Sequence, residues 1–226
     1  MDTTHYPWYS TWWGKTLIAV LFLFFTITVA AVLYIRDIVK DIRSQSQYAK
    51  QIKNLKESEI YNISTTTSHK IGAANPELTL IVFSDFACPY CKSSYPAIRE
   101  ISRIHNDKVL IIFKDYPLHE ESAILSMAAR CAGEQGFFWP MHDKLFQNQG
   151  ATTFDEMVFL ANQVGVDLER FAECLNQNKY LKNIQNDFLE AENLGLEGTP
   201  TFFINGRKIE GEIPYATLIK LIESLL

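Results

Sequence analysis

Two cysteines separated by two residues, Cys88 and Cys91, constrain this chain more than any other feature. They follow a short apolar run, 79–84, that predicts a buried strand, and they precede a stretch that predicts a helix. The unpaired N–H groups and the dipole at a helix start favour a thiolate, the form of cysteine that attacks disulfides. Pro89 suits the first helical turn and places Cys88 at the helix edge. The spacing therefore predicts a pair that opens and closes a disulfide.

A CxxC pair can also be half of a zinc site or an inert packed pair. Structural zinc sites usually show a second close pair of ligands. Here Cys131 and Cys174 are far apart in sequence, and no histidine lies three to five residues from another. Pro89 and Tyr90 disfavour the inert pair. We therefore expect no metal, and no bound cofactor, because a dithiol is itself the redox group.

Charge and cysteine content narrow the class of protein. The chain has 226 residues and a formal net charge of -5, with basic residues scattered rather than clustered among aromatic ones. This pattern does not favour nucleic-acid binding. Four cysteines, one close pair and one distant pair, suit one catalytic and one structural disulfide, and disulfides persist in oxidising compartments.

Twenty uncharged residues, 16–35, are long enough to cross a bilayer as a helix. A cleavable signal would have a shorter apolar core and a small-residue cleavage site, whereas this run ends in Tyr34 and Ile35 followed by charges. We predict an uncleaved anchor at 16–35 behind a cytoplasmic tail at 1–15. Aromatic residues flank the run as in membrane-interface belts, namely Trp8, Tyr9, Trp12, Trp13 and Tyr34.

The charges beside this run disagree with the cysteines about orientation. Lys15 precedes the run, whereas three basic residues follow it closely, which alone would keep the C-terminal part in the cytoplasm. That rule is strongest for short loops, and large domains translocate despite it. Because the cysteines indicate an oxidising compartment, we predict a single-pass inner-membrane protein with its domain outside the cytoplasm.

Residues 36–70 predict a stalk or linker. The part up to Ile60 is polar, helix-favouring and free of Gly and Pro, and 65–76 predicts a loop. An approximate heptad seam leaves a weak dimerising coiled coil as the alternative to a plain stalk. The seam residues are Ile35, Ile38, Ile42, Ala49 and Ile52.

The remaining residues, 71–226, predict a small sheet interrupted by helices. A helix from the CxxC pair to about Ile104 and a strand at 109–113 complete a βαβ unit. From about 119 to 194 no strand signal occurs, and several helices are predicted. They are 121–131, 138–147, 154–164 with Thr152 as a possible cap, and one that opens at 166–167. Strands at 201–204 and 207–210, joined by Asn205-Gly206, precede a closing amphipathic helix.

This order, with CPYC at the first helix and Gly198-Thr199-Pro200-Thr201 before the third strand, resembles the DsbA-like branch of the thioredoxin superfamily. The matching segments are FSDFACPYCK, AARCAGEQGFFWPMHDKLF and GLEGTPTFFINGRKIEG. The resemblance covers about 71–226. It implies an α/β thioredoxin fold with an inserted helical subdomain, preceded here by the single transmembrane helix.

The resemblance also implies roles for the matched residues. Cys88 would be the exposed nucleophile that forms a mixed disulfide with substrate, and Cys91 its buried partner. A cis bond before Pro200 would leave an edge where an extended substrate can pair, whereas an ordinary trans turn is the alternative from the residues alone. The substrate-binding positions would be Pro89, Tyr90, Thr199 and Pro200.

One position departs from the family pattern. Many relatives carry a buried acid six residues before the first cysteine, where this chain has Val82. Asp85 is nearby, but strand alternation would place it on the opposite face from Val82 if the strand reached that far. Release of substrate through Cys91 would then rely on water or another group.

Cys131 and Cys174 lie in segments that resemble those of relatives with a second disulfide. We predict a structural bridge that closes a loop of roughly 40 residues. The alternative is two buried free cysteines that pack as small apolar residues.

Several other side chains are predicted to pack rather than to act. Trp139, His142 and Phe146 share a helix face, but a single histidine lacks the convergent partners of a ligand site. For His119 and Met127 the sequence predicts only a packing role or a position on the surface.

These features predict an extracytoplasmic thiol–disulfide oxidoreductase that introduces disulfides into exported cysteine-containing proteins. The resemblance implies reoxidation by a DsbB-like, quinone-linked membrane protein. An isomerase or reductase of the same fold is the nearest alternative, and a thioredoxin-fold chaperone or assembly factor is a different one.

Overall fold

The computed structural model describes residues 12–226. Trp8, Tyr9 and most of the predicted tail at 1–15 lie outside the described residues. The chain divides into two compact units, Met1–Gln51 and Ile52–Leu226.

In the first unit, a long helix, α1 (Trp12–Glu57), begins and continues into the start of the second. Its segment Lys15–Val39 is long and apolar enough to cross a membrane, and none of its most apolar window is buried within the protein. This segment includes the predicted anchor at 16–35. Ile38 and Ile42 of the heptad seam are exposed, and the dimeric coiled coil stays a prediction.

The second unit contains a five-stranded sheet. Its strands are β1 (His69–Gly72), β2 (Leu78–Ser84), β3 (Val109–Asp115), β4 (Thr201–Ile204) and β5 (Arg207–Glu210). They lie in the order β1-β3-β2-β4-β5, in which β2 and β3 run parallel and the other neighbours run antiparallel. The central strands are buried along nearly their whole length, so both faces of the sheet are covered.

Helices fill the rest of this unit. They are α2 (Pro89–Ile104), α3 (Ser122–Gly133), α4 (Phe138–Gln147), α5 (Phe154–Val164), α6 (Leu168–Asn176), α7 (Leu181–Asn193) and α8 (Tyr215–Glu223). Helix α2 connects the parallel strands β2 and β3, and α3 to α7 are inserted between β3 and β4. The predicted mixed sheet with a helical insert is therefore present.

The structure corrects the sequence interpretation of the segment 65–76. Its composition predicts a loop, but the segment contains β1, which pairs antiparallel with β3. His69-Lys70-Ile71-Gly72 has little strand propensity of its own. It is a strand because the edge of β3 offers it backbone partners, which a local pattern does not record.

The insert also differs from its prediction. It contains a further helix, α7, and the cap of α5 is Thr153 rather than Thr152. The Thr153 hydroxyl accepts a hydrogen bond from the Glu156 N–H, and the Glu156 carboxylate accepts one from the Thr153 N–H. This reciprocal pair is a capping box, which fixes where the helix begins.

A disulfide joins Cys131 of α3 to Cys174 of α6, 43 residues apart in sequence. It ties two helices of the insert to each other. The alternative of two free thiols does not describe this structure.

Replacing both Cys131 and Cys174 by Ser is expected to lower the free energy of unfolding by about 2–4 kcal/mol, because the unfolded chain regains the entropy of an open loop. Urea denaturation of the oxidised proteins measures the change. The bridge contributes no stability if the double variant and the wild type unfold at the same urea concentration.

Candidate active site

The candidate active site lies where β2 ends and α2 begins. Cys88 is the residue directly before the helix and has an extended backbone, with φ -72° and ψ 124°. Pro89 occupies the first helical turn, where its missing N–H leaves no hydrogen bond unmade. Cys91 lies within the first turn, and both cysteines are free thiols. The helix start predicted from the spacing is therefore present.

Cys88 is more buried than the family resemblance implied. It is only 4% exposed and Cys91 only 1%, so the expectation of an exposed nucleophile is wrong. The Cys88 Sγ lies 3.3 Å from the carbonyl oxygen of Thr199, whereas the neighbouring Tyr90 is 59% exposed. Cys88 therefore presents only a small surface to a substrate sulfur, beside the exposed Tyr90.

The pKa values of the two thiols shift in opposite directions. The pKa of Cys88 is lowered from 9.0 to about 5, chiefly by a hydrogen bond with the Cys91 side chain, although burial opposes this change. Hydrogen bonds with Thr199 and with backbone groups of Cys91 and Tyr90 contribute to the same lowering. Burial raises the pKa of Cys91 well above its ordinary value, and the bond with Cys88 raises it more. At neutral pH, the reduced site holds a thiolate on Cys88 and a thiol on Cys91.

Alkylation of the reduced protein should therefore follow a titration near pH 5. The iodoacetamide reaction of Cys88 is expected to reach half its maximal rate near that pH, far below the 9.0 of an ordinary cysteine. Because folding lowers the pKa of Cys88, its thiolate stabilises the folded, reduced protein. This stabilisation is complete above the pKa of Cys88 in the unfolded chain and is lost as the pH falls towards 5. The reduced protein should thus gain stability over Cys88→Ser between pH 5 and 9. A midpoint near 9 would contradict the thiolate assignment.

The loop before β4 forms the other side of the site. The peptide bond between Thr199 and Pro200 is cis, and Pro200 is buried. The contact between Cys88 and Thr199 joins residues that are 111 positions apart. The structure therefore brings the predicted substrate-binding positions at 89–90 and 199–200 to the same place.

An acidic residue that contacts both cysteines through its backbone is Asp85, whereas position 82 is valine. Val82 is buried in β2, and Asp85 is fully buried directly after that strand. The Asp85 carbonyl accepts a hydrogen bond of 3.1 Å from the Cys88 N–H, and the Asp85 nitrogen lies 3.5 Å from the Cys91 Sγ. Because β2 ends at Ser84, strand alternation does not decide where the Asp85 side chain lies.

The Asp85 carboxylate is satisfied from the turn that follows β3. It accepts hydrogen bonds from the backbone N–H groups of Leu118 and His119, and the His119 Nδ1 lies 2.7 Å from Oδ2. The Ser122 hydroxyl and the Ala87 N–H complete the set. Sequence analysis assigned no role to His119, because 34 residues separate it from Asp85.

Gln149 is a second residue that the sequence did not reveal. Its side-chain nitrogen donates hydrogen bonds of 2.9 Å to the carbonyl oxygens of Phe86 and Cys88. Gln149 follows α4, so the helical insert holds the loop that carries the first cysteine.

The aromatic face of α4 packs into the core. His142 is 1% exposed, its ring lies 5.0 Å from that of Trp139 and 4.9 Å from that of Phe146, and burial lowers its pKa. Among residues 12–226, no group of three or more His, Cys, Asp or Glu side chains is placed to hold a metal ion.

Comparison with known proteins agrees with this arrangement. A family model described as thioredoxin matches residues 64–224, a region that includes both active-site cysteines and the cis-proline. The chain belongs to the thioredoxin family. This thioredoxin-family region begins somewhat before the 71–226 predicted from the sequence.

Solved structures show which form of the fold this thioredoxin-family chain has. The thiol-disulfide exchange protein alpha-DsbA2 from Wolbachia pipientis is 21% identical, with a TM-score of 0.66 over 83% of this chain and 98% of that one. A periplasmic thioredoxin-like protein from Salmonella enterica serovar Typhimurium is 28% identical, with a TM-score of 0.58 over 77% and 95%. The fold is that of DsbA-like thiol–disulfide oxidoreductases.

One relative is a much longer protein, of which only a part is similar to this chain. The Na(+)/H(+) antiporter NhaA 1 of Salinispora arenicola is 33% identical over 159 residues, which is 69% of this chain and 24% of that protein. The thioredoxin-family chain therefore spans about a quarter of that relative's length. The antiporter name describes that longer protein.

Proposed function

We propose that this chain is a thiol–disulfide oxidoreductase that passes a disulfide to substrate cysteines through Cys88 and Cys91. The observation that carries the proposal is the opposite shift of the two pKa values within one CxxC pair. A stabilised thiolate is both the attacking species and a good leaving group. The family and the fold support the same chemistry.

In the oxidised protein, a substrate thiolate attacks the Cys88 sulfur. The bond between Cys88 and Cys91 breaks, a mixed disulfide forms on Cys88, and Cys91 leaves and takes up a proton. A second substrate thiolate then attacks the substrate sulfur of the mixed disulfide, which releases Cys88 as a thiolate. Two electrons have moved from the substrate to the pair, and the substrate holds the disulfide.

The depressed Cys88 pKa favours the oxidising direction. The more stable the thiolate of the reduced form, the more oxidising the disulfide. The first cysteine has a pKa of about 3.5 in DsbA and about 7 in thioredoxin, and the value of about 5 for Cys88 lies between them. An isomerase or reductase of the same fold is the alternative, and a redox-inactive chaperone would not need this pair of shifted thiols.

We further propose that the domain works outside the cytoplasm on exported proteins, and that a DsbB-like membrane protein reoxidises it. Three observations support this location. One helix contains a candidate membrane span at Lys15–Val39, and the insert contains a disulfide that is not part of the active site. Such disulfides persist mainly in oxidising compartments. One solved neighbour is described as periplasmic.

Trapping with Cys91→Ala tests the function and the location together. In this variant the Cys88 thiolate attacks a disulfide that a substrate already carries, one substrate sulfur leaves as a thiolate, and a mixed disulfide forms on Cys88. Because no Cys91 thiol is present to displace the substrate from this mixed disulfide, substrates should remain attached. Diagonal non-reducing and reducing electrophoresis with mass spectrometry would identify them. The control is the double variant in which Cys88 is also Ala. Exported proteins among the adducts support the proposal, whereas cytoplasmic ones contradict the location and an absence of adducts contradicts the function.

A further inference from the structure

His119 lies on the turn after β3 and contacts Asp85, whose backbone contacts both cysteines. Its side chain is 45% exposed, and its Nδ1 lies 2.7 Å from the Oδ2 of the fully buried Asp85. The same Asp85 oxygen accepts a hydrogen bond from the His119 backbone N–H. The ring is therefore held by a fixed carboxylate, while part of it still faces solvent.

Asp85 connects this ring to the backbone of Cys88 and to the sulfur of Cys91. Its carbonyl accepts the N–H of Cys88, and its own nitrogen lies 3.5 Å from the Cys91 Sγ. Its carboxylate accepts hydrogen bonds from Ala87 on the cysteine side and from Leu118, His119 and Ser122 on the other. One buried residue thus fixes the turn that carries His119 against the turn that carries Cys88.

The charges around His119 favour its cationic form. The hydrogen bond with Asp85 raises the pKa of His119, burial opposes this rise, and the negative charges of Asp85, Cys88 and Glu121 add to it. Since the pKa of Cys88 is about 5 and that of His119 is raised above its ordinary value, the imidazolium and the thiolate coexist in the pH range between the two pKa values.

We propose that His119, oriented by Asp85, is a positioning residue whose imidazolium stabilises the thiolate of Cys88 and makes the disulfide more oxidising. The proposal rests on the proposed exchange function. Val82 occupies the position at which many relatives carry a buried acid that assists the second cysteine. In this site the His119 imidazolium acts on the first cysteine, Cys88, instead.

Thermodynamic linkage gives a test that needs no variant. If the imidazolium stabilises the thiolate, the thiolate must raise the pKa of His119 by the same amount. NMR titration of the His119 ring should therefore give a higher pKa in the reduced protein than in the oxidised protein, which carries no thiolate. Equal pKa values in the two forms would overturn the proposal.

A variant gives the reciprocal measurement. His119→Gln is expected to raise the Cys88 pKa by about one unit, the lower end of the effect of a nearby opposite charge, since the ring is partly exposed. A tenfold loss of stabilisation of the reduced form lowers the reduction potential by about 30 mV. Absorbance of the thiolate at varied pH and equilibration with glutathione measure the two quantities.

His105→Gln is the matched control, because His105 follows the far end of α2, about 24 Å from the cysteines by helix rise. It should leave both quantities unchanged, and His119→Lys, which restores a cation, should move the Cys88 pKa back towards the wild-type value. If His119→Gln and His105→Gln behave alike while the wild type exchanges disulfides, the role of His119 is refuted and the function stands. If the wild type does not exchange disulfides, the proposed function itself fails.

Discussion

Cys88→Ala is expected to abolish the transfer of disulfides to a reduced test protein and to leave only the uncatalysed rate. Cys91 cannot take over, because it is 1% exposed and burial raises its pKa well above the ordinary value. The measurement is oxidation of a reduced test protein by catalytic amounts of enzyme, with glutathione disulfide as the oxidant.

The control for this loss is the double variant Cys131→Ser and Cys174→Ser, measured where it remains folded. It lacks the disulfide of the insert but keeps the CxxC pair, so it should retain transfer. A Cys88→Ala protein that transfers disulfides at the wild-type rate would show that the pair is not the redox group.

Arg130→Met is expected to lower the free energy of unfolding by about 3–5 kcal/mol, the range for breaking a buried ion pair from one side. Arg130 is 1% exposed, and its guanidinium contacts Asp115 and Asp187, each through an N···O distance of 2.5 Å. Both carboxylates are themselves buried, so the variant leaves the Asp115 carboxylate without its guanidinium partner and leaves Asp187 with Lys114 alone. Urea denaturation measures the loss.

The residues around Arg130 show that Lys114 is the cation left to balance the buried carboxylates once Arg130 is removed. Lys114 of β3 also pairs with Asp187 of α7 and lies 2.8 Å from Glu190, and it donates a hydrogen bond to the carbonyl of Ser64. The network thus joins β3 and α7 to α3 and to the segment before β1. Removing Arg130 leaves one buried cation, Lys114, among the carboxylates of this network.

Lys179→Met is the matched control for Arg130→Met. Lys179 pairs with Glu134 at 2.7 Å, but the two side chains are 47% and 28% exposed. An exposed pair of this kind contributes little to stability because solvent screens the two charges, so Lys179→Met should change the free energy of unfolding far less than Arg130→Met. Equal destabilisation by the two variants would contradict the importance of burial in the Arg130 network.

The local sequence pattern predicted strand β2, the start of helix α2 and the pair of thiols at Cys88 and Cys91, because each of these depends on residues that are neighbours in sequence. The family resemblance added the cis bond at Pro200 and the bridge between Cys131 and Cys174. Burial of Cys88 was not foreseen, since the carbonyl that covers it belongs to Thr199, 111 residues away.

The supporting contacts escaped prediction for the same physical reason. Asp85 and His119 are 34 residues apart, Gln149 and Cys88 are 61 apart, and Arg130 and Asp187 are 57 apart. None of these contacts has a helical or strand period that a sequence pattern would show. Asp85, an acid three residues before the CxxC pair, was the available signal, and strand alternation could not place its side chain beyond the end of β2 at Ser84.

The reduction potential of the pair formed by Cys88 and Cys91 tests the central claim most directly. The purified protein would be equilibrated with glutathione buffers, and the fraction of free thiol at each ratio would be measured. The depressed Cys88 pKa predicts a potential well above the value of about -270 mV for thioredoxin and towards the value of about -120 mV for DsbA. A potential at or below that of thioredoxin would contradict an oxidase and assign the site to reduction.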